Sequence, residues 1–239
     1  MNLKSILNLF SILILFFSFS YVLPIVVSII FNDGALKIFI ITLVLIALLG
    51  SLGAFITRGA NNNLSQKDGF VIIVLFWIVL SLAGSIPFYL SGMSGIDSIF
   101  ESMSGITTTG ATAISNIEAL PESLLFYRQL LQWMGGMGLI VLAIAVMPLL
   151  GIGGGQIYKT EIPGAMGEQR LTPRIKETAQ ALWSIYFGLT VVCTLLYYTN
   201  GMNMFDAVSH AMSTVAIGGF STHDESIGFF NSFSIELIC

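Results

Sequence analysis

Charged residues are scarce in this 239-residue chain: they make up 9% of it, whereas 55% of the residues are hydrophobic. A soluble domain carries about 25% charged residues, so a chain this poor in charge could not cover a water-facing surface. A soluble protein with a large buried core is therefore a weak alternative to an integral membrane protein. No basic patch interleaved with aromatic residues suggests a nucleic-acid partner.

Cysteine is also rare, and the two cysteines form no framework. Cys193 lies in an apolar run and Cys239 is the last residue, and neither has the spacing of a metal ligand. The apolar segments contain no Asp–Asp pair, HExxH or GxSxG motif, so the residues that a membrane enzyme needs around a cavity are missing. We expect no enzyme activity and no covalently bound cofactor.

Long apolar runs dominate what is present, and several reach the roughly 20 residues that span a bilayer. The first run is too long for the apolar part of a signal peptide, so we interpret it as a retained membrane helix. Pro24 and Pro87 predict kinks, which membrane helices tolerate when neighbours satisfy the freed backbone groups. The apolar segments are 5–31, 36–57, 69–91, 123–150 and 179–199.

The distribution of Lys and Arg predicts a cytoplasmic N-terminus. If each segment crosses once, the outside holds only Lys37, and Arg128 lies near the outer end of a membrane segment. The outer loops are acidic and would attract cations. The cytoplasmic side then holds Lys4, Arg58, Lys67, Lys159, Arg170, Arg174 and Lys176.

An internal repeat relates two parts of the chain at the offset that separates Gly110 from Gly219. Glycine, tyrosine and aspartate recur at this offset, which is hard to obtain by chance between apolar segments. Both copies start inside and reach their loop outside, so they are parallel repeats around an axis along the membrane normal. The matched residues are Tyr89 with Tyr198, Gly92 with Gly201, Met93 with Met202, Asp97 with Asp206, Met103 with Met212, and Ser104 with Ser213.

Each copy continues with a short segment and then a stretch of small residues, at 107–112 and 216–221. The short segment cannot cross a bilayer, so it must dip in and leave on the same side. Glycine and threonine backbone with exposed carbonyls can replace the water shell of a cation, and glycine permits the angles that aim carbonyls at one axis. Asp97 and Asp206 are expected to cap these short helices.

These loops, together with residues 127–138, resemble the bacterial TrkH family of potassium-uptake membrane subunits, which is related to the KtrB and plant HKT transporters. The resemblance implies an all-α integral membrane fold of two N-terminal helices followed by helix–pore-loop–helix repeats with parallel pseudo-symmetry. At matching positions it implies potassium as the transported ligand and a selectivity filter formed by Thr108, Thr109, Gly110, Ile217, Gly218 and Gly219. In this superfamily glycine at position 110 goes with potassium and serine with sodium, and a sodium-permeable member remains the alternative.

The expected organisation is two helices in 1–68, a first repeat in 69–150, a cytoplasmic linker in 151–177 and an incomplete second repeat in 178–239. The family pattern has four repeats, so we expect a fragment or a short product, and a non-conducting scaffold or regulatory subunit stays open. The resemblance also implies the bacterial inner membrane with its lipid, a homodimer at full length, and a cytosolic nucleotide-binding TrkA-type partner. The linker is either its docking surface or a solvated loop.

Five further positions carry two interpretations each. Arg128 either tunes ions near the filter or reaches towards the membrane surface or a loop. Gly135 and Gly136 either form a gating hinge or allow close helix packing. Glu101 and His210 occupy equivalent positions in the two short helices, which argues against a symmetric charge ring and favours a structural role.

Overall fold

The computed structural model describes residues 3–60, 66–146 and 168–239, and within these ranges the chain is helical with no strand. This confirms the predicted all-α fold. The predicted linker falls largely outside these ranges, although its last residues already belong to a helix that starts at Glu168. In chain order the helices are α1 (Leu3–Ser18), α2 (Val22–Phe31), α3 (Leu36–Ile56), α4 (Gln66–Gly84), α5 (Ile86–Leu90), α6 (Gly95–Ile106), α7 (Glu122–Val146), α8 (Glu168–Thr199), α9 (Met204–Val215) and α10 (Phe233–Ile238).

Among the described residues, four helical stretches are long and apolar enough to cross a membrane. Their mean hydropathies run from 1.6 to 2.7, and at most 33% of each is buried inside the protein. Large apolar side chains cover the outward faces, and such surfaces belong in hydrocarbon rather than in water. The chain is therefore a membrane protein. The four stretches are Leu3–Phe31, Leu36–Ile56, Asp68–Leu90 and Glu177–Thr199.

Two of the four membrane-spanning stretches contain a proline, and both are interrupted, as predicted, just before it. The first changes to a 3-10 turn at Phe19–Tyr21 ahead of Pro24, and the third breaks between α4 and α5 ahead of Pro87. Proline has no N–H to donate and its ring crowds the carbonyl four residues earlier. For Pro87 that carbonyl belongs to Ala83, and it accepts a hydrogen bond of 2.9 Å from the Tyr21 hydroxyl.

The two N-terminal spans pack closely because α3 presents glycine to α1. A Cβ at Gly50 would lie 2.8 Å from the Leu15 backbone, and one at Gly53 would collide with the Ser11 side chain. Small residues let helix backbones approach in a membrane, where no hydrophobic effect drives association. The Asn8 amide also donates to Thr57 Oγ1 at 2.8 Å, so a side-chain hydrogen bond joins the N-terminal part of α1 to the C-terminal end of α3.

An aromatic cluster joins the N-terminal spans to α7. Tyr127 of α7 is fully buried and donates its hydroxyl to the Gly84 carbonyl at 2.9 Å, next to the carbonyl that Tyr21 satisfies. Edge-on and tilted ring contacts at these separations stabilise beyond the area they bury. Around Tyr127, at centroid distances of 5.4 to 5.7 Å, lie Phe88, Phe39 and Tyr21.

Candidate functional site

Two short helices, α6 and α9, form matching parts of the site. Each has twelve residues, and their bounds coincide at the offset between Gly110 and Gly219. The residue before each helix has extended backbone and caps it: Ser94 accepts from Asp97 N at 3.2 Å, and Asn203 from Asp206 N at 2.9 Å.

The expectation that Asp97 and Asp206 are the N-caps was therefore wrong, because Ser94 and Asn203 are the capping residues. Both lie within the first helical turn and their carboxylates accept from the cap side chains, at 2.7 Å from Ser94 Oγ and 2.7 Å from Asn203 Nδ2. The capping residue must leave helical angles, and the acid three residues later completes a reciprocal pair. An acid near a helix start indicates the turn but not which residue caps it.

The chain after each short helix adopts the same unusual backbone. Thr108 and Ile217 both have φ of 54°, and Gly110 and Gly219 have φ of 77° and 82°. Positive φ is rare for residues other than glycine, and for a β-branched side chain it is a true outlier. Strain of this kind persists where the surroundings overdetermine it, often at functional sites.

Backbone hydrogen bonds hold these loops to their helices in the same pattern. Thr109 N donates to the Ser104 carbonyl at 2.9 Å, and Gly218 N donates to the Ser213 carbonyl at 2.8 Å. The amides point back at the helix ends, so the loop carbonyls are the groups left for another partner.

The two loops also meet. A Cβ at Gly110 would collide with the Gly218 carbonyl oxygen and lie 3.4 Å from Gly219 Cα. The structure thus brings together residues from the two sequence-predicted filter segments, which lie far apart in the chain. At position 110 the space between the two loops admits the hydrogen of glycine but no larger side chain.

Gln132 of α7 supports the second loop from behind. Its Oε1 accepts from Ser213 Oγ at 2.8 Å and from Phe220 N at 3.1 Å, and the side chain is fully buried. A Cβ at Gly218 would collide with this amide. Gln132 belongs to the first repeat, so one repeat shapes the loop of the other. The sequence offered no signal for this beyond a glutamine in an apolar helix.

The Arg128 side chain does not extend to the membrane surface but lies inside the protein. It is buried, with a side-chain exposure of 0%, and its Nε lies 2.7 Å from Oε1 of the equally buried Glu101. Its Nη1 donates to the Ser221 carbonyl at 2.9 Å, and its guanidinium lies 4.3 Å from the Phe220 ring centroid. The pairing was missed from the sequence, although two opposite charges in apolar helices were a signal for it.

Glu101 and His210 play the same part in the two repeats. Glu101 accepts from Thr112 Oγ1 at 2.9 Å, and His210 Nε2 lies 2.9 Å from Ser221 Oγ. Thr112 and Ser221 are equivalent residues two positions beyond the loop glycines. In each repeat, a side chain from the middle of the short helix therefore binds the chain segment that follows the loop. This agrees with the structural role expected of both residues.

His223 is a second group that sequence reasoning missed. Its Nδ1 lies 3.1 Å from Glu118 Oε1 and its Nε2 lies 3.2 Å from Asp206 Oδ2, while its ring stacks on Phe229 at 3.6 Å. Glu118 follows the first loop and Asp206 begins the second short helix. His223 thereby connects the chain after the first loop to the start of the second short helix.

Gly135 and Gly136 lie where α7 touches the ends of both short helices. A Cβ at Gly135 would collide with the Ile106 carbonyl, and one at Gly136 would lie 2.7 Å from Tyr186 Oη and 3.3 Å from Ala216 Cα. The helix runs unbroken through both residues. This geometry favours the packing interpretation over the hinge.

The fold and the site define a class of protein: helical membrane proteins in which two matching short helices bring two irregular loops together. The chain belongs to the TrkH family of cation transport proteins, whose sequence model matches residues 35–239.

Characterised relatives agree with this assignment. The chain is 53% identical to the Trk system potassium uptake protein TrkH of Halomonas elongata and 45% identical to that of Escherichia coli (strain K12), over 100% of its own length. It superposes on the crystal structure of the potassium transporter TrkH from Vibrio parahaemolyticus with a TM-score of 0.88 and 45% identity. It covers 50% of each of the first two relatives and 48% of the third, so it spans half of their length.

Proposed function

We propose that this chain supplies two filter segments of a potassium-uptake subunit, and that the ion passes the carbonyls of residues 108–110 and 217–219. The observation that carries the proposal is the contact between Gly110 and the Gly218 carbonyl, made by two loops with matching positive φ. Backbone carbonyls held in such an arrangement replace the hydration shell of a cation. The names of the relatives, potassium uptake proteins and a potassium transporter, support potassium as that cation.

The protein is proposed to act by passage rather than by chemistry. Membership of a cation transport family supports this role, and the groups at the loops are carbonyls rather than a nucleophile or an acid–base pair. Potassium is then the transported ligand and not a resident cofactor.

The proposed location is the bacterial inner membrane with the N-terminus in the cytoplasm. The Lys and Arg distribution supports this orientation, with Arg58 at the end of α3 on one side and Lys37 at its start on the other. The Asp33, Glu118 and Asp224 side chains then lie on the outer side, where they would concentrate cations at the entrance.

Proposed partners are a second copy of the complete subunit and a cytosolic nucleotide-binding protein of the TrkA type. The word "system" in the names of the relatives supports a multi-component assembly. Residues 151–177 are proposed as the docking surface, because they would lie on the cytoplasmic side between the two repeats. Affinity purification of the complete gene product with and without these residues tests this, and a partner retained after their removal would contradict it.

Potassium uptake by cells that lack their own uptake systems tests the main proposal, with the complete gene expressed. We expect growth at low potassium, and loss of growth in the Gly110→Leu and Gly219→Leu variants. Gly188→Leu is the matched control, because a side chain there meets open space on α8.

Uptake unaffected by both loop substitutions, or no uptake from protein present in the membrane, would contradict the proposal. The second outcome favours a non-conducting scaffold, and uptake of sodium as fast as potassium favours a sodium-permeable member of the superfamily.

A further inference from the structure

The Glu101–Arg128 ion pair is unusual for its complete burial. Both side chains have an exposure of 0% at a separation of 2.7 Å. Taking two charges out of water costs more than their attraction returns unless further hydrogen bonds satisfy them. A buried pair is thus weak evidence for stability as such, and the remaining contacts of the two charges show what else they do.

Among the described residues, the remaining hydrogen bonds of the pair are all made to the chain that follows the two loops. Glu101 accepts from Thr112 Oγ1 at 2.9 Å and from Ala113 N at 3.1 Å. Arg128 donates from Nη1 to the Ser221 carbonyl at 2.9 Å. Glu101 thus binds the chain that follows the first loop, and Arg128 binds the chain that follows the second loop.

The pair therefore connects equivalent positions of the two repeats. Thr112 stands two residues beyond Gly110, and Ser221 stands two residues beyond Gly219. The path from Thr112 through the carboxylate and the guanidinium to the Ser221 carbonyl consists of charge-assisted hydrogen bonds, which are short and directional. A change in this path would alter the separation of the two loops.

The connection is not repeated at the equivalent positions of the second repeat. There His210 replaces Glu101 and Leu237 replaces Arg128. A filter with equal gaps between all its segments would not require such a pair. A single connection between one repeat and the next can instead set the one gap between their two loops.

We propose that Glu101 and Arg128 are a positioning pair that sets the gap between the first and second filter segments, and through it the preference for potassium over sodium. This inference rests on the proposed function. Neither residue touches the ion; both act through the backbone they hold. Filter selectivity depends on the placement and number of coordinating carbonyls, so a looser gap should admit sodium while conduction continues.

The test is the ratio of potassium to sodium uptake rates for the complete gene product in cells lacking their own systems, measured together with the amount of protein in the membrane. We expect Glu101→Gln and Arg128→Gln to lower the ratio about tenfold, because each leaves a buried charge uncompensated. Arg128→Lys should lower it less, since a lysine keeps the charge but loses the planar fork that serves two acceptors. Glu225→Gln, at an exposed acid beyond the second loop, is the matched control.

A milder variant keeps the test decisive if the charge variants fail to fold. Thr112→Val removes the hydroxyl that donates to the Glu101 carboxylate and accepts from Ile114 N, and it leaves both charges paired. It should therefore lower the ratio about threefold, in line with the modest net contribution of neutral hydrogen bonds, at a normal protein amount. An unchanged ratio in Thr112→Val, or in the charge variants that reach the membrane, overturns the inference.

A lower protein amount with an unchanged ratio means a purely structural pair, which also overturns it. Failure of the proposed function itself is distinct, because it shows as a wild-type protein that carries no potassium and takes this inference with it.

Discussion

Thr108 and Ile217 share a left-handed backbone with the same φ of 54°, although one side chain is polar and the other apolar. Each is held by its own N–H, which donates to the last turn of the preceding helix at 3.0 Å and 2.9 Å. The loop conformation therefore comes from the repeat and not from the side chain at that position. This is why the two loops present their carbonyls alike despite different sequences.

Alanine at Gly110 should be more harmful than alanine at Gly219. Both positions have positive φ, which costs a residue with a Cβ about 1–2 kcal/mol. Only at Gly110 does the Cβ also collide with the Gly218 carbonyl; at Gly219 the nearest atom is 4.0 Å away. Potassium uptake rates, normalised to protein in the membrane, should fall in the order control, Gly219→Ala, Gly110→Ala. The reverse order would argue against contact between the loops.

Alanine at Gly135 should destabilise the protein by about 1–3 kcal/mol, the usual cost of overpacking. The new Cβ meets the Ile106 carbonyl, which the end of α6 holds in place. Gly138→Ala is the control, because its Cβ meets only the Phe76 ring at 3.3 Å. Thermal unfolding of the purified protein in detergent measures the difference. Normal stability with altered gating in Gly135→Ala would instead support a hinge.

Removing the Tyr21 hydroxyl should destabilise the protein by about 1 kcal/mol, the net value of one hydrogen bond. The Tyr21→Phe variant leaves the Ala83 carbonyl without its donor at the Pro87 break. In a Pro87→Ala background the helix can supply a backbone donor, so the cost of Tyr21→Phe should shrink there. Tyr89→Phe, at an exposed side chain, is the control. Equal costs of Tyr21→Phe in the two backgrounds would show that the hydroxyl does not compensate for the donor that Pro87 lacks.

Asp33, between α2 and α3, should make stability depend on pH. Partial burial acts to raise the pKa of its carboxyl, but hydrogen bonds from Ser123 and Ser28 outweigh this and bring the pKa below its ordinary value. A lowered pKa in the folded state contributes stability that is complete above the pKa of the unfolded chain and is lost as the pH falls through the folded value.

Thermal unfolding of wild type and Asp33→Asn between pH 7 and pH 3 measures this contribution. The wild type should be the more stable at neutral pH, where the charged carboxylate accepts from Ser123 N at 2.8 Å. The difference should narrow towards pH 3. A constant difference across this range would assign the effect to packing instead of charge.

Much of the fold could be predicted because membrane insertion depends on local composition. Apolar runs of sufficient length, the two prolines and the small-residue loops at one offset each act over a few neighbouring residues. The membrane class, both helix breaks and the two short helices were therefore available from the sequence. The caps were predicted three positions after the residues that cap, since the acid and the cap belong to the same turn.

The sequence by itself determined that this is a helical membrane protein with two related short helices, each followed by a small-residue loop, because hydropathy and repetition are properties of the chain alone. Only the tertiary structure decided which loop residues meet, which charges pair and which glycines must remain small. Those facts depend on residues brought together from different helices, as with Arg128 and the Ser221 carbonyl or Gly110 and the Gly218 carbonyl. Such contacts follow from how helices cross and loops return, which no local pattern specifies.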